Sequence, residues 1–299
     1  MTNLTVLLQA PELNLQLVAD GVLTGAIFAL AAYGMALVWG VMNIINVAQG
    51  EFVMLGGYVV IGLAAYGVPL ALAVPAAAVV QFIVGWVLYR VVIFRIVECD
   101  LFTSVLATFG LSIVMQQLAN EVFGANVRTV DAGLGSAQLA GGMVSVPFVK
   151  LAGFAAALAL GAALRLFLRH ARLGRAIRAT AQNGRAARVL GVDTDRVYAA
   201  TFALNAAICG AAGGLVAMTW VVHPYLGLPY TVRAFMIVVV AGLGNMLPVL
   251  VAGGALGVAE NYAGFLLGTE YQTAFLYALL VVILVWRNQM LRRQRRYLR

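Results

Sequence analysis

Nine mostly apolar stretches, near 17–39, 52–66, 69–89, 101–120, 148–168, 197–220, 234–247, 249–267 and 272–286, fill most of the chain and leave only short polar connectors. A helix needs about 20 such residues to cross the hydrocarbon core of a bilayer, where the backbone can satisfy its own polar groups only in helices or closed barrels. Runs of this length predict an all-α integral membrane protein, a polytopic helical bundle of about eight to nine transmembrane segments. Several runs are short, and 234–267 holds Gly242, Gly244, Pro248, Gly253, Gly254 and Gly257, which predicts a broken or re-entrant hairpin there. Composition agrees, because only 10% of residues are charged, against about a quarter in soluble domains. The net charge of +8 is no nucleic-acid footprint, since the basic residues sit at the ends of apolar runs rather than clustered on a soluble face.

The longest polar segment is 169–196, with Arg169, Arg172, Arg175, Arg178, Arg185, Arg188 and Arg196 against Asp193 and Asp195. Basic loops face the cytoplasm. Placing this loop inside, with Arg165, Arg90, Arg95 and the basic tail 287–299, puts sixteen of nineteen basic residues on one side. Arg128, Lys150 and Arg233 are left outside or at an interface, the N-terminus is outside, and 121–147 becomes the longest external loop. The first sixteen residues carry no Lys or Arg, so a cleaved secretory signal is not expected. Leu173 and Ile177 lie four apart, and Gly174, Gly184 and Gly191 punctuate the segment, the pattern of short amphipathic helices. Such a loop is either a solvated connector or a docking element for a soluble protein.

A second polar break, Met42-Asn-Ile-Ile-Asn-Val-Ala-Gln-Gly-Glu51, groups Asn43, Asn46, Gln49 and Glu51 between two apolar runs. Glu51 either caps the helix that starts there, where the positive end of the helix dipole favours a carboxylate, or lines a wet pathway. Gln81, Gln116, Gln117, Asn205, Glu260 and Asn261 are the other polar groups in apolar runs, the amides expected in interhelical hydrogen bonds and Glu260 a pathway candidate. The Gly210–Gly214 and Gly253–Gly257 stretches are expected to let helices pack closely. The only lysine, Lys150, is followed by Leu151, so no nucleotide-binding P-loop is present. No catalytic triad, metal-ligand spacing or cofactor motif stands out, and no disulfide is expected between Cys99 and Cys209.

Four motifs occur in order: Asn46-Val-Ala-Gln-Gly-Glu-Phe-Val-Met-Leu-Gly-Gly-Tyr58, Leu106-Ala-Thr-Phe-Gly-Leu-Ser-Ile-Val-Met-Gln-Gln117, Leu173-Gly-Arg-Ala-Ile-Arg-Ala179 with Leu190-Gly-Val-Asp-Thr-Asp-Arg196, and Arg233-Ala-Phe-Met-Ile-Val-Val-Val-Ala-Gly-Leu-Gly-Asn245. Together they resemble the permease family of bacterial branched-chain amino acid ABC importers, the LivH type. The resemblance implies a single transmembrane permease domain over 1–299 in the bacterial inner membrane, working by alternating access. It implies as partners a second related permease chain, two cytoplasmic ATPase subunits and a periplasmic substrate-binding protein, besides membrane lipid. It also implies that Leu173, Gly174, Arg178, Ala179, Gln182, Asn183, Leu190 and Gly191 form the loop that couples to the ATPase, with Gly191 making the turn that ends the coupling helix. Asn46, Gln49 and Glu51 are candidates for the translocation pathway. Gln49 stands where the family commonly has His, and the tail reads Trp286-Arg-Asn-Gln-Met290 where the family has Arg-Pro-x-Gly-Leu. Relatives of the fold also serve urea and short amides.

An ion-coupled secondary transporter using Glu51 or Glu260, and a passive channel, are the competing readings. The charge asymmetry makes a direct prediction about topology. Reporters fused after position 180 and after Arg299 should both be active only in the cytoplasm; periplasmic activity at both would invert the map.

Overall fold

The computed structural model describes residues 7, 10–139, 144–242 and 246–297. Nine apolar helices correspond one for one to the nine apolar runs: α1 (Pro11–Met42), α2 (Gln49–Ala65), α3 (Leu70–Val91), α4 (Leu101–Phe123), α5 (Phe148–His170), α8 (Thr194–Thr219), α9 (Gly227–Ala241), α10 (Met246–Leu267) and α11 (Gln272–Tyr297). The short helices α6 (Arg172–Gln182) and α7 (Gly184–Val189) form the polar loop. Seven of the nine are long and apolar enough to cross a membrane, while α2 and α9 are shorter. The 234–267 hairpin is two helices, the first starting at Gly227, earlier than the apolar run because Gly227-Leu-Pro229 makes a helical first turn in which proline needs no donor. The 121–147 segment carries a hairpin of β1 (Ser136–Leu139) and β2 (Val144–Pro147), with Ser136 opposite Pro147; residues 140–143 of that segment, Asn245 and the last two tail residues lie outside the described residues.

α1 and α8 lie at the centre, antiparallel to each other: Phe28 stacks on Trp220, at the end of α8, while Gly34 faces Asn205. α10 packs antiparallel along α1, Gly257 against Gly21 and Gly253 against Gly25. α3 packs antiparallel along α8 in the same way, Val74 against Gly214, Ala77 and Gln81 against Gly210, and Gly85 against Ala206. α2 runs parallel to α8, with Gly56 on Gly210 and Val60 on Gly214. α9 correspondingly runs beside α1, where Phe28 meets Tyr230 and Trp39 stacks on Phe235. Each half is thus a long helix, a break, a short helix and a long helix, and each half's last helix embraces the other half's first. The two halves are inverted relative to one another and interlocked.

Glycine makes these embraces possible, because lipid offers no hydrophobic drive and helices must instead gain close van der Waals contact. A Cβ on Gly25 would meet the Gly253 backbone and come within 2.8 Å of the Gly254 Cα, whereas nothing lies near one on Gly40. The outer helices are attached more lightly. α4 has α2 as its main packing partner, and Leu276 alone among the described side chains of α11 is buried. Asp100 starts α4 by accepting from the Thr103 hydroxyl (2.6 Å) and backbone N–H (3.2 Å), which hold its carboxyl below the ordinary value.

Gly25→Ala should therefore overpack the α1–α10 contact by roughly 1–3 kcal/mol. Its apparent melting temperature in detergent should drop by several degrees, with Gly40→Ala unchanged or slightly more stable; equal melting of the two would refute the close-contact assignment.

Candidate functional site

α1 ends at Asn43, whose left-handed backbone (φ 53°) sends its N–H back to the Trp39 carbonyl. The chain then runs unwound through Ile44–Ala48 and re-enters a helix at Gln49. Non-helical backbone is tolerated at membrane depth only where the protein satisfies it. Here it does. Asn46 Oδ1 accepts from Ala48 N (3.2 Å), and its amide donates to Gln49 Oε1 (3.3 Å). Gln49 Nε2 donates to the Ala31 carbonyl and to Asn205 Oδ1, both at 2.8 Å, tying the break to α1 and α8. The Thr231 hydroxyl of α9 accepts from Gly50 N (2.8 Å) and donates to the Val47 carbonyl (2.9 Å). Thr108 of α4 accepts from Val47 N (3.1 Å), its proton being within reach of the Ile45 and Ser104 carbonyls.

The first turns of α2 and α9 meet head to head. A Cβ on Gly50 would strike the Gly227 carbonyl, and one on Gly227 would strike the Glu51 carboxylate. Glu51 is fully buried, and its side chain lies where the positive ends of two helix dipoles converge. Its Oε1 accepts from Ser112 (2.9 Å) and Gln116 (2.7 Å) of α4, while Oε2 has no hydrogen-bond partner among the described residues. Asn46, Gln49 and Glu51 are thus brought together, the two amides engaged in internal bonds and the carboxylate half satisfied. Glu260, by contrast, is paired with Arg233 (2.9 Å), whose guanidinium also lies over Phe28 and Tyr230. The interhelical role of Gln116, Asn205 and Asn261 follows the sequence expectation, Asn261 donating to Asp20 at 3.1 Å.

Sequence reading overlooked the partners of the break. Ser104, Thr108, Ser112, Gln116 and Asn120 fall at every fourth position of α4 and make one polar stripe. That spacing was available as a signal, hidden inside an otherwise apolar run. Thr231 carries no comparable signal, because its role depends on α9 meeting α2.

The polar loop forms the second site. α6 is strongly amphipathic, burying Gly174, Ile177 and Thr180 and exposing Leu173, Arg178, Ala179, Gln182 and Asn183. Gly174 sits against Phe167 and Leu168 of α5, too tightly for any side chain, so it seats the loop while its neighbours face out. Leu173, four residues before Ile177, is exposed because the inward face is read through 174, 177 and 180. Asn183 caps α7 by accepting from Ala186 N (3.0 Å). Gly191, at φ 86°, closes the end of α7 with its N–H on the Arg188 carbonyl, while Val192 N reaches Ala187 O, the left-handed closure that glycine favours. Val189 and Leu190 are 87% and 83% exposed, an apolar pair offered to solvent in a loop otherwise polar. Arg188 fastens the loop to the α3–α4 connector through Glu98 (2.8 Å), beside a cleft of ≈470 Å³ lined in part by Phe94, Arg95 and Tyr198.

The family described as branched-chain amino acid transport system / permease component matches residues 17–284. The chain belongs to this branched-chain amino acid permease family. It is 30% identical over 285 residues to the high-affinity branched-chain amino acid transport system permease protein LivH of Salmonella typhimurium, covering 91% of this chain and 92% of that one. LivH of Escherichia coli K12 gives the same identity and coverage, and BraD of Pseudomonas aeruginosa is 27% identical over 91% of this chain and 94% of its own. No solved structure matches. Members of the permease family are transport subunits, and the apolar helices place this one in the membrane as a multi-pass protein.

Thr231→Val removes the hydroxyl that serves both Gly50 and Val47, leaving the part-buried Val47 carbonyl without it and the buried Gly50 N–H unpaired, the latter at about 1–3 kcal/mol. Thr219→Val removes only a bond to its own helix, at Leu215. Thermal unfolding should separate the two variants clearly, and equal stability would show that the break does not depend on Thr231.

Proposed function

We propose that this chain is a permease subunit of an ATP-driven importer of branched-chain or related small amino acids in the bacterial inner membrane, working by alternating access. It pairs with a second permease chain, takes its energy from two cytoplasmic ATPase subunits and receives substrate from a periplasmic binding protein. The N-terminus lies outside and the C-terminus inside. The observation that carries this reading is the α6–α7 loop. Its inward face, Ile177 and Thr180, is locked to the bundle, while Ala179, Gln182, Asn183, Val189 and Leu190 stand free on the outside. A rigid helix pair with solvent-facing small and apolar residues fits a groove on another protein, and burying Val189 and Leu190 there offsets the cost of exposing them. Arg188 on Glu98 links the loop to the connector that precedes α4.

The inverted halves with broken helices also suit an ion-coupled secondary transporter. Uptake in cells that survives ATP depletion and fails when the proton gradient is collapsed would favour that reading; the reverse favours the importer. Urea or a short amide remains the alternative cargo, distinguished by competition against labelled leucine.

Coupling has a sharper test at the loop surface. Ala179→Glu and Leu190→Glu leave the fold untouched, since both positions are exposed, and put a charge where the partner must be desolvated, at several kcal/mol. Both should abolish stimulation of ATP hydrolysis by liganded binding protein in the reconstituted complex, while Arg172→Gln keeps it. Gly191→Glu would lose it too, through backbone strain at φ 86° as well as through contact. Normal stimulation in Ala179→Glu and Leu190→Glu would return the loop to a solvated connector.

A further inference from the structure

We propose that the Glu51 carboxylate is the point on the transport path that receives the amino group of the substrate, and that α4 is the wall covering it in the conformation seen here. The inference rests on the permease reading above and adds to it a place and a chemistry.

A carboxylate buried in a membrane protein is costly unless paired. Glu260 has Arg233; Glu51 has only the neutral donors Ser112 and Gln116, and Oε2 has no partner among the described residues. A protonated amine supplies what is missing, both a positive charge and up to three N–H donors for the free lone pairs. The depth is appropriate as well. Ser112 is the twelfth of the 23 residues of α4, so Glu51 lies level with the middle of a spanning helix. Transporters built from inverted halves commonly bind substrate at that level, beside helix N-termini.

The covering helix is suited to opening. α4 meets the bundle mainly at α2, through hydrogen bonds of Thr108 with the break and of Ser112 and Gln116 with Glu51, and through an apolar contact of Ala119 and Phe123 with Met54 and Tyr58 near its end. Its polar stripe runs further than those contacts use. Ser104 gives its hydroxyl to its own helix at Leu101, and Asn120 Oδ1 is buried without a partner among the described residues. From Ser104 to Asn120 the stripe is about 24 Å long at 1.5 Å per residue, most of the ~30 Å hydrocarbon core. Glue for one contact needs one turn of polar side chains; a stripe of this length gives a small polar solute a continuous row of hydroxyls and amides once α4 draws away.

The test uses the whole complex, with both permease chains, the ATPases and the binding protein in proteoliposomes. The permease carries Ser112→Cys together with Cys99→Ser, Cys209 being buried. Labelling of position 112 is followed with membrane-impermeant methanethiosulfonates, one bearing trimethylammonium and one sulfonate. During turnover with ATP and leucine-loaded binding protein, labelling should rise, and the cationic reagent should outrun the anionic one by at least about tenfold beyond their ratio on free thiol, as expected beside a carboxylate. Glu51→Gln should abolish that preference and Glu51→Asp should keep it. If Glu51→Gln does not assemble, the two reagents on the Glu51 protein decide alone. Position 112 staying unlabelled while the complex transports leucine, or equal rates for both reagents, overturns the proposal. Loss of ATP dependence with the cationic preference intact would instead overturn the ATP-driven reading and leave this one standing.

Discussion

Two short helices that begin inside the protein must each leave a turn of backbone unsatisfied, and the rest of the bundle is arranged to meet that cost at one place. The N-termini of α2 and α9 meet at Gly50 and Gly227, and Thr231, Gln49 and Asn46 satisfy the unwound chain between α1 and α2. In membranes a single interhelical hydrogen bond is worth only about 0.6 kcal/mol, too little to hold such a junction. Leaving the same groups unpaired away from water costs several times more, so the penalty for opening, more than the strength of any bond, keeps the break in place. Glu51 adds a carboxyl group at the meeting of two positive helix ends, where a negative charge is favoured.

Around that junction, close packing replaces hydrophobic burial as the organising force. The glycines at 21, 25, 253 and 257 on one side, and at 56, 57, 210 and 213 on the other, bring helix axes near enough for backbone to touch backbone. The interlock follows from them, since each half contributes the partner that the other half's central helix requires. α4 and α11 stand outside this arrangement, with fewer contacts and more exposed apolar surface. Helices held lightly are the ones that move at least cost. A loop pinned by Ile177 and joined through Arg188 to the connector before α4 sets the candidate docking surface beside one of these lightly held helices.

The sequence by itself determined the helical membrane architecture, the nine apolar runs that form helices, the helical character of the 169–196 loop and the turn at Gly191, while α9 begins seven residues before its run and α11 extends eleven residues beyond its own. Each of these is local: a run long enough to span, a charge excess, a glycine where the backbone needs positive φ. The packing role of Gly210–Gly214 and Gly253–Gly257 was also legible, because clustered small residues in an apolar run have few other uses.

Only the tertiary structure decided what these pieces touch. The inverted relation of the halves is invisible in the chain, since the Asn43–Ala48 break and the 220–226 break share no sequence pattern. Thr231 serving Gly50 and Ser112 serving Glu51 join residues 181 and 61 positions apart. The exposure of Leu173 and the burial of Gly174 turned on which of several faces α6 presents to α5, a choice that periodicity leaves open. Which groups surround Glu51 depended on a second helix end and on α4. Such outcomes are set by which surfaces fit at close range, a property of the assembled bundle that no single segment carries.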